Sequence, residues 1–329
     1  MNIYIKILLL TLFLFISSCS IIDEYVGTSD EVSQSDDMDH EHEEEMRLEK
    51  EEEMRLEKEE EMRLEKEEEM RLEKEARSIK ESINIISDPS YEYFDRYTDV
   101  GTLRIFALPE VSDEYLIKVG AIYKLIFDED NPDIDRNLKN EFFQTMKNNY
   151  VYQRVGYKGP ELYDMDSDNP KIDCCPENNY DDNQTDYIWE PEGSGDPTGE
   201  IIEHALHTIT NVAFKLMSSD WDYRDSGSKL RLAYKEAVDK KLFNEESYAP
   251  LKGRNDFYQV TTQEYFFWAI ITEWDLGFIW DIPNEEFLIK NKEDLAEKLP
   301  LSHQLYQDFV LKILTPLDGD LVSAIINNN

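Results

Sequence analysis

The sequence predicts an α+β domain, helix-rich with a small sheet, preceded by a single charged helix. Three observations predict it. The unit EEEMRLEK occurs four times without change from 43 to 74, and its residues are strong helix formers. Residues 101–108 (GTLRIFAL) and 150–157 (YVYQRVGY) read as strands, being rich in β-branched and aromatic side chains. Residues 112–127, 136–148, 199–217, 228–241, 262–275 and 302–315 read as helices, which therefore outnumber the strands.

In chain order, residues 1–18 come first. Asn2 and Lys6 sit in a short polar start, and 7–16 (ILLLTLFLFI) form an apolar run of ten. That is too short to span a bilayer and suits the apolar centre of an export signal. The run ends in Ile16-Ser17-Ser18-Cys19. An aliphatic residue, two small residues and a cysteine resemble the lipobox of bacterial lipoproteins. The resemblance implies lipidation of Cys19, cleavage before it, and a chain held on a membrane without spanning it, in the bacterial cell envelope. Ser20 follows, where Asp would favour retention at the inner membrane, so the outer membrane is expected. The alternative is an ordinary secretory leader with a chance cysteine.

Residues 19–42 are rich in Asp, Ser and Glu and read as a disordered acidic tether. His40 and His42 flank Glu41 there and read as part of a solvated tail. Residues 43–82 read as the repeat stalk. Arg47 has Glu43 and Glu51 four residues away, and Lys50 has Glu53 three away, spacings that place opposite charges side by side on a helix. Eight steps of about 100° leave a drift of roughly 80° per unit, so Met46, Met54 and Met62 do not share a face. A coiled coil is disfavoured. The expectation is one charged helix whose repeats extend about 48 Å, a spacer between lipid and domain. The alternative is a merely solvated acidic tract.

The domain is expected over 83–329. The chain of 329 residues has a formal charge of −39, and residues 81–329 carry −25 of it. That excludes nucleic acid as an expected partner, because phosphate binding needs basic surface. Divalent cations and basic or neutral polypeptides fit better. With Cys19 assigned to lipid, only Cys174 and Cys175 remain, so there is no disulfide framework. They lie in a long polar loop over 159–198. In the same loop Asp164, Asp166, Asp168 and Asn169 begin like a calcium loop, but Cys175 stands where the closing Glu would be. Asp128, Asp130, Asp133 and Asp135 read as a solvated acidic loop.

Two of the domain's three histidines lie in Glu200-Ile201-Ile202-Glu203-His204-Ala205-Leu206-His207. On a helix, Ile201, Ile202, Ala205, Leu206 and Ile209 gather on one side. Glu200, Glu203, His204 and His207 gather on the other, within roughly 100°. Imidazoles and carboxylates are zinc ligands, and helical spacing of three or four brings them together. A later segment, Thr261-Thr262-Gln263-Glu264-Tyr265-Phe266-Phe267-Trp268, is apolar nearly all round apart from Glu264. A carboxylate beside such a run needs a donor, a cation or a raised pKa.

Together these segments resemble the zincin metallopeptidases, especially the lethal-factor-like glutamate-ligand group. There one helix carries His-Glu-x-x-His and a later helix carries a Glu followed by aromatics. Here the later helix reads Glu264-Tyr265-Phe266-Phe267, and the preceding strand–helix–helix–strand order is compatible. The first motif departs: this chain has Glu203-His204-x-x-His207, with the first two positions transposed. Two assignments follow from the resemblance. In one, Glu203, His207 and Glu264 hold Zn²⁺ and His204 takes the place of the general base. In the other, His204 and His207 bind metal with Glu264, while Glu203 or Glu200 polarises water. Tyr258 would stabilise the oxyanion in either. The function implied is a membrane-anchored, zinc-dependent peptidase acting on polypeptides. The alternatives are a non-catalytic protein-binding module that keeps the fold, and a structural envelope lipoprotein whose polar helix face carries histidines by chance.

Overall fold

The computed structural model describes residues 35–89, 91, 94–159, 187–193 and 195–327. Cys19, Cys174, Cys175 and the Asp164–Asp168 run lie outside them. Helix α1 is Ser35–Glu81. It begins inside the stretch expected as tether, where SDDMDHEHEEE contains no Gly or Pro to stop it. Arg47 lies 4.0 Å from Glu44 and 3.8 Å from Glu51, and Arg71 lies 2.7 Å from both Glu68 and Glu75. Met46, Met54, Met62 and Met70 are exposed, as their drifting positions require.

The compact unit is Lys66–Asn329. It starts earlier than the boundary expected at 83, because Leu72, Ala76 and Ile79 pack on its core. One five-stranded sheet follows, in the order β1-β2-β3-β4-β5. Strands β1 (Ile86–Ser87), β2 (Arg96–Val100) and β3 (Leu103–Ala107) are antiparallel neighbours. Strands β4 (Tyr152–Tyr157) and β5 (Tyr187–Glu190) continue the sheet in parallel with β3. The segment expected as one long loop over 159–198 therefore contains an edge strand. Its four residues, Tyr-Ile-Trp-Glu, favour a strand, but they are too few to stand out within a polar stretch.

Helices α2 (Asp113–Ile126) and α3 (Arg136–Asn148) connect β3 to β4. Ser112 and Asp135 cap them by accepting from Tyr115 N, and from Asn137 N and Leu138 N. Asp128 likewise accepts from the backbone amides of Glu129 and Asp130. Thr98, Ile105, Gln153, Val155 and Ile188 are buried on the sheet face that meets the helices. The opposite face is aromatic and basic. Arg104 stacks on Tyr97 at 3.9 Å and Arg154 on Tyr187 at 4.3 Å.

Helix α4 (Thr198–His207) passes into π-turns over Thr208–Phe214 and ends as Lys215–Met217. Helices α5 (Lys229–Asp239), α6 (Phe257–Glu273), α7 (Lys292–Lys298) and α8 (Pro300–Leu305) follow. After π-turns at Tyr306–Val310 and a turn at Leu311–Ile313, α9 (Gly319–Asn327) closes the described chain. Helix α6 starts five residues before the expected 262, since Phe257-Tyr258-Gln259-Val260 contains no helix breaker. It is buried almost all round. Tyr265 and Ser302 share a buried hydrogen bond, and Glu273 meets His303 Nδ1 at 2.6 Å, so α8 is pinned to α6 at two heights. The architecture is α+β, helix-rich, with one small mixed sheet. Among the described residues no helix is long and apolar enough to cross a membrane.

Gly156 of β4 lies opposite Trp189 of β5, whose indole occupies the space a side chain would need. A Cβ there would stand 2.3 Å from the ring, and the ring is held by stacking on Tyr187 at 4.7 Å. Gly156→Ala is expected to cost about 1–3 kcal/mol through overpacking at β5. Urea unfolding monitored by tryptophan fluorescence measures it.

Candidate metal centre

The centre is built by α4 and α6. Helix α4 turns Ile201, Ile202, Ala205 and Leu206 into the core. Asp196 supports its start, accepting from Thr198 N at 2.9 Å and from Thr198 Oγ1 at 2.5 Å. At the far end, Gln153 of β4 takes hydrogen bonds from Thr208 Oγ1 at 2.5 Å and from Tyr123 OH at 2.8 Å. The π-turns begin at Thr208, directly after His207. Such turns re-aim side chains relative to a regular α-helix and often accompany functional sites. Within them Asn211 Nδ2 donates to Gln263 Oε1 at 2.7 Å, a buried amide pair next to Glu264.

That clamp holds Glu264 opposite His207. His207 is fully buried, with Nε2 at 3.7 Å from Glu264 Oε2. Its ring meets the edge of Phe267 at 6.0 Å. Glu203, one turn earlier on α4, completes the group: one ligand atom from each of Glu203, His207 and Glu264 lies within 4.8 Å of the others. Among the described residues this is the group of three or more His, Cys, Asp or Glu side chains that converges in this way. The donor set, one imidazole and two carboxylates, fits a divalent ion. With bonds of about 2.0–2.2 Å, tetrahedral ligand atoms stand roughly 3.4 Å apart, and two carboxylates balance the ion's charge.

His204 lies beside this group. Its Nε2 is 3.4 Å from Glu200 Oε1, and its ring is edge-on to His207 at 5.3 Å. Glu200 Oε1 also accepts from Trp189 N of β5 at 2.8 Å. Of the residues named in the two assignments, Glu203, His207 and Glu264 are the three whose ligand atoms converge.

Tyr258 is not brought to the group. Six residues before Glu264 it points about 120° away around the helix. Arg231 lies over its ring at 3.3 Å, Tyr234 packs on its edge, and it is 42% exposed. The tyrosine near the centre is Tyr248, from the 3₁₀ turn Glu246–Leu251. Burial, and then the negative charge of Glu264, push its phenol far above the usual range. Glu286 and Glu203 push the same way. Tyr248 is therefore protonated and donates to Glu286 Oε1 at 2.6 Å. No local pattern singles out Tyr248. It lies 16 positions before Glu264, on a separate turn, and only packing brings it in.

No protein-family model, curated protein or solved structure matches the chain.

Asn211→Ala would remove the buried hydrogen bond that Asn211 Nδ2 donates to Gln263 Oε1. The expected cost is about 1–3 kcal/mol, measured by chemical denaturation. The same substitution should weaken divalent-ion binding in proportion to the disorder it introduces at Glu264.

Proposed function

We propose that the chain is a membrane-anchored, zinc-dependent peptidase acting on polypeptides. The observation that carries the reading is the convergence of Glu203, His207 and Glu264 from two helices onto one point. Those three side chains would hold the ion. When bound, Zn²⁺ supplies Lewis-acid polarisation of a carbonyl and acidifies water at an open position. His204 stands where the zincins carry their general base. An imidazole can take and return a proton at neutral pH. Glu200 orients it, and Trp189 N fixes Glu200 in turn. Tyr248 is the hydroxyl that can donate to a developing oxyanion, after rotation about its C–O bond turns the proton away from Glu286.

Lipid on Cys19 would hold the chain on the outer membrane, and the charged repeats would set the domain off from the surface. The transposed order Glu203-His204 favours one second reading. Two carboxylate ligands would make the ion a weaker Lewis acid, which would suit a protein-binding module that keeps its metal and does not hydrolyse.

Zinc content measured by mass spectrometry on the detergent-solubilised full chain tests the centre. One zinc per chain is expected, lost in His207→Ala and in Glu264→Gln. No zinc after loading would sink the reading. Activity on a quenched-fluorescent peptide library should fall about 10²–10³-fold in Tyr248→Phe with zinc retained, as for loss of an oxyanion donor. Tyr258→Phe should stay close to wild type. Zinc without any hydrolysis would select the binding module. Incorporation of labelled fatty acid, abolished by Cys19→Ala, tests the anchor.

A further inference from the structure

Glu286 is a carboxylate at this site to which the metal assignment gives no task. It is placed with some care. Asn284 Oδ1 accepts from the backbone amides of Glu286 and Phe287, at 2.9 Å each, and Asn244 N donates to the carbonyl of Glu286 at 2.8 Å. The neighbouring Phe287 is fully buried and anchors the segment. The carboxylate itself takes two hydrogen bonds on a single oxygen: Tyr248 OH at 2.6 Å and Trp268 Nε1 at 3.2 Å, both on Oε1. Trp268 lies one turn after Glu264 on α6, so the two residues share a face of that helix. Tyr248 feels the negative charges of Glu264, Glu286 and Glu203 alike, so Glu286 lies on the Tyr248 side of the centre.

Both donors to Glu286 are neutral, and neither needs a charge to bind. An amide oxygen would serve Tyr248 and Trp268 as well. Among the described residues no Lys, Arg or His forms an ion pair with Glu286. The charge is thus kept, partly shielded from water, in a place where holding the fold does not require it. Both donors fall on Oε1, so the carboxylate is hydrogen-bonded but has no counter-ion among the described residues. A cationic ligand would supply one. The ion at the centre would be balanced by Glu203 and Glu264, so Glu286 stays uncompensated even with metal bound. The surroundings reinforce the sign, since residues 81–329 carry a formal charge of −25, which attracts cations and repels anions.

We infer that Glu286 receives a cationic group of the polypeptide, an ammonium or guanidinium, beside the Glu203–His207–Glu264 centre, and so selects basic peptides. The inference rests on the peptidase reading for what happens to the peptide next. Glu286 is a specificity residue. Its Oε2 accepts the cation while Oε1 stays with Tyr248 and Trp268.

The test uses the detergent-solubilised full chain and three dye-labelled peptides of equal length. One is blocked at both ends and carries a central lysine. The second replaces that lysine with norleucine. The third is the norleucine peptide with a free amino terminus. Binding is read by fluorescence anisotropy, and zinc is measured in the same samples. The lysine peptide, or the free-amine peptide where the terminus is the source, is expected to bind about tenfold more tightly than the blocked norleucine peptide, as for one charge-assisted hydrogen bond. Glu286→Gln keeps the acceptor for both neutral donors, so it should keep the fold and the zinc while abolishing the preference. Equal binding of all three peptides to the wild-type chain overturns the inference. So does a preference that survives unchanged in Glu286→Gln. A Glu286-dependent preference in a chain that takes up no zinc would refute the metal reading and leave this one standing.

Discussion

The packing of α4 against α6 is the constraint on which the site depends. Each helix alone presents a mixed set of polar groups. Glu203 and His207 are one turn apart on α4, and Glu264 is near the start of α6. They become one group only because Asn211 and Gln263 meet in a buried hydrogen bond, and because the edge of Phe267 closes on the His207 ring. A buried amide pair in an otherwise apolar contact specifies register: sliding the helices by one turn would strand both amides. The same contact keeps His207 away from solvent, where its ring nitrogen meets a carboxylate and not bulk water.

Around that contact the polar groups have separate supports. Trp189 of the edge strand holds Glu200, and Glu200 faces His204. Tyr248 and Trp268 hold Glu286. Gln153 of the central sheet holds the start of the π-turns. The site therefore draws on β4, β5, α4, α6 and two connecting segments. Carboxylates predominate in it, which sets its chemistry apart from a site of two imidazoles and one carboxylate. A divalent ion would be held by harder, more negative ligands, and the residue in the base position would be an imidazole.

The helices were legible because their signals are local. The helices expected from 112 and 136 are α2 and α3, capped by Ser112 and by Asp135, which the sequence had offered only as part of a solvated acidic loop. The apolar face of 201–209 was legible for the same reason, as was the convergence of Glu203 and His207 on the other side. Strands β2 and β5 were not legible. Arg96–Val100 carries charged residues at Arg96 and Asp99, on opposite faces of the strand, so no apolar–polar alternation shows, and Tyr187–Glu190 is four residues inside a polar stretch. A short strand gains its stability from neighbours, and neighbours far away in sequence leave no local mark. The exchange of Tyr258 for Tyr248 has a related cause. Proximity along the chain favoured Tyr258, yet helical geometry turns it toward Arg231.

The sequence by itself determined the things that repeat or recur at short range: an α+β, helix-rich domain, the charged repeat, the strong net acidity, and a Glu/His face on one helix. It also carried the order Glu203-His204, which needs no structure to be seen. Only the tertiary structure decided which of those polar groups share a centre. It placed Glu264 3.7 Å from His207, turned His204 toward Glu200, and brought Tyr248 and Glu286 in from segments with no motif of their own. The physical reason is that side-chain direction on one helix follows from its period, whereas distance between helices follows from how all the buried side chains pack at once.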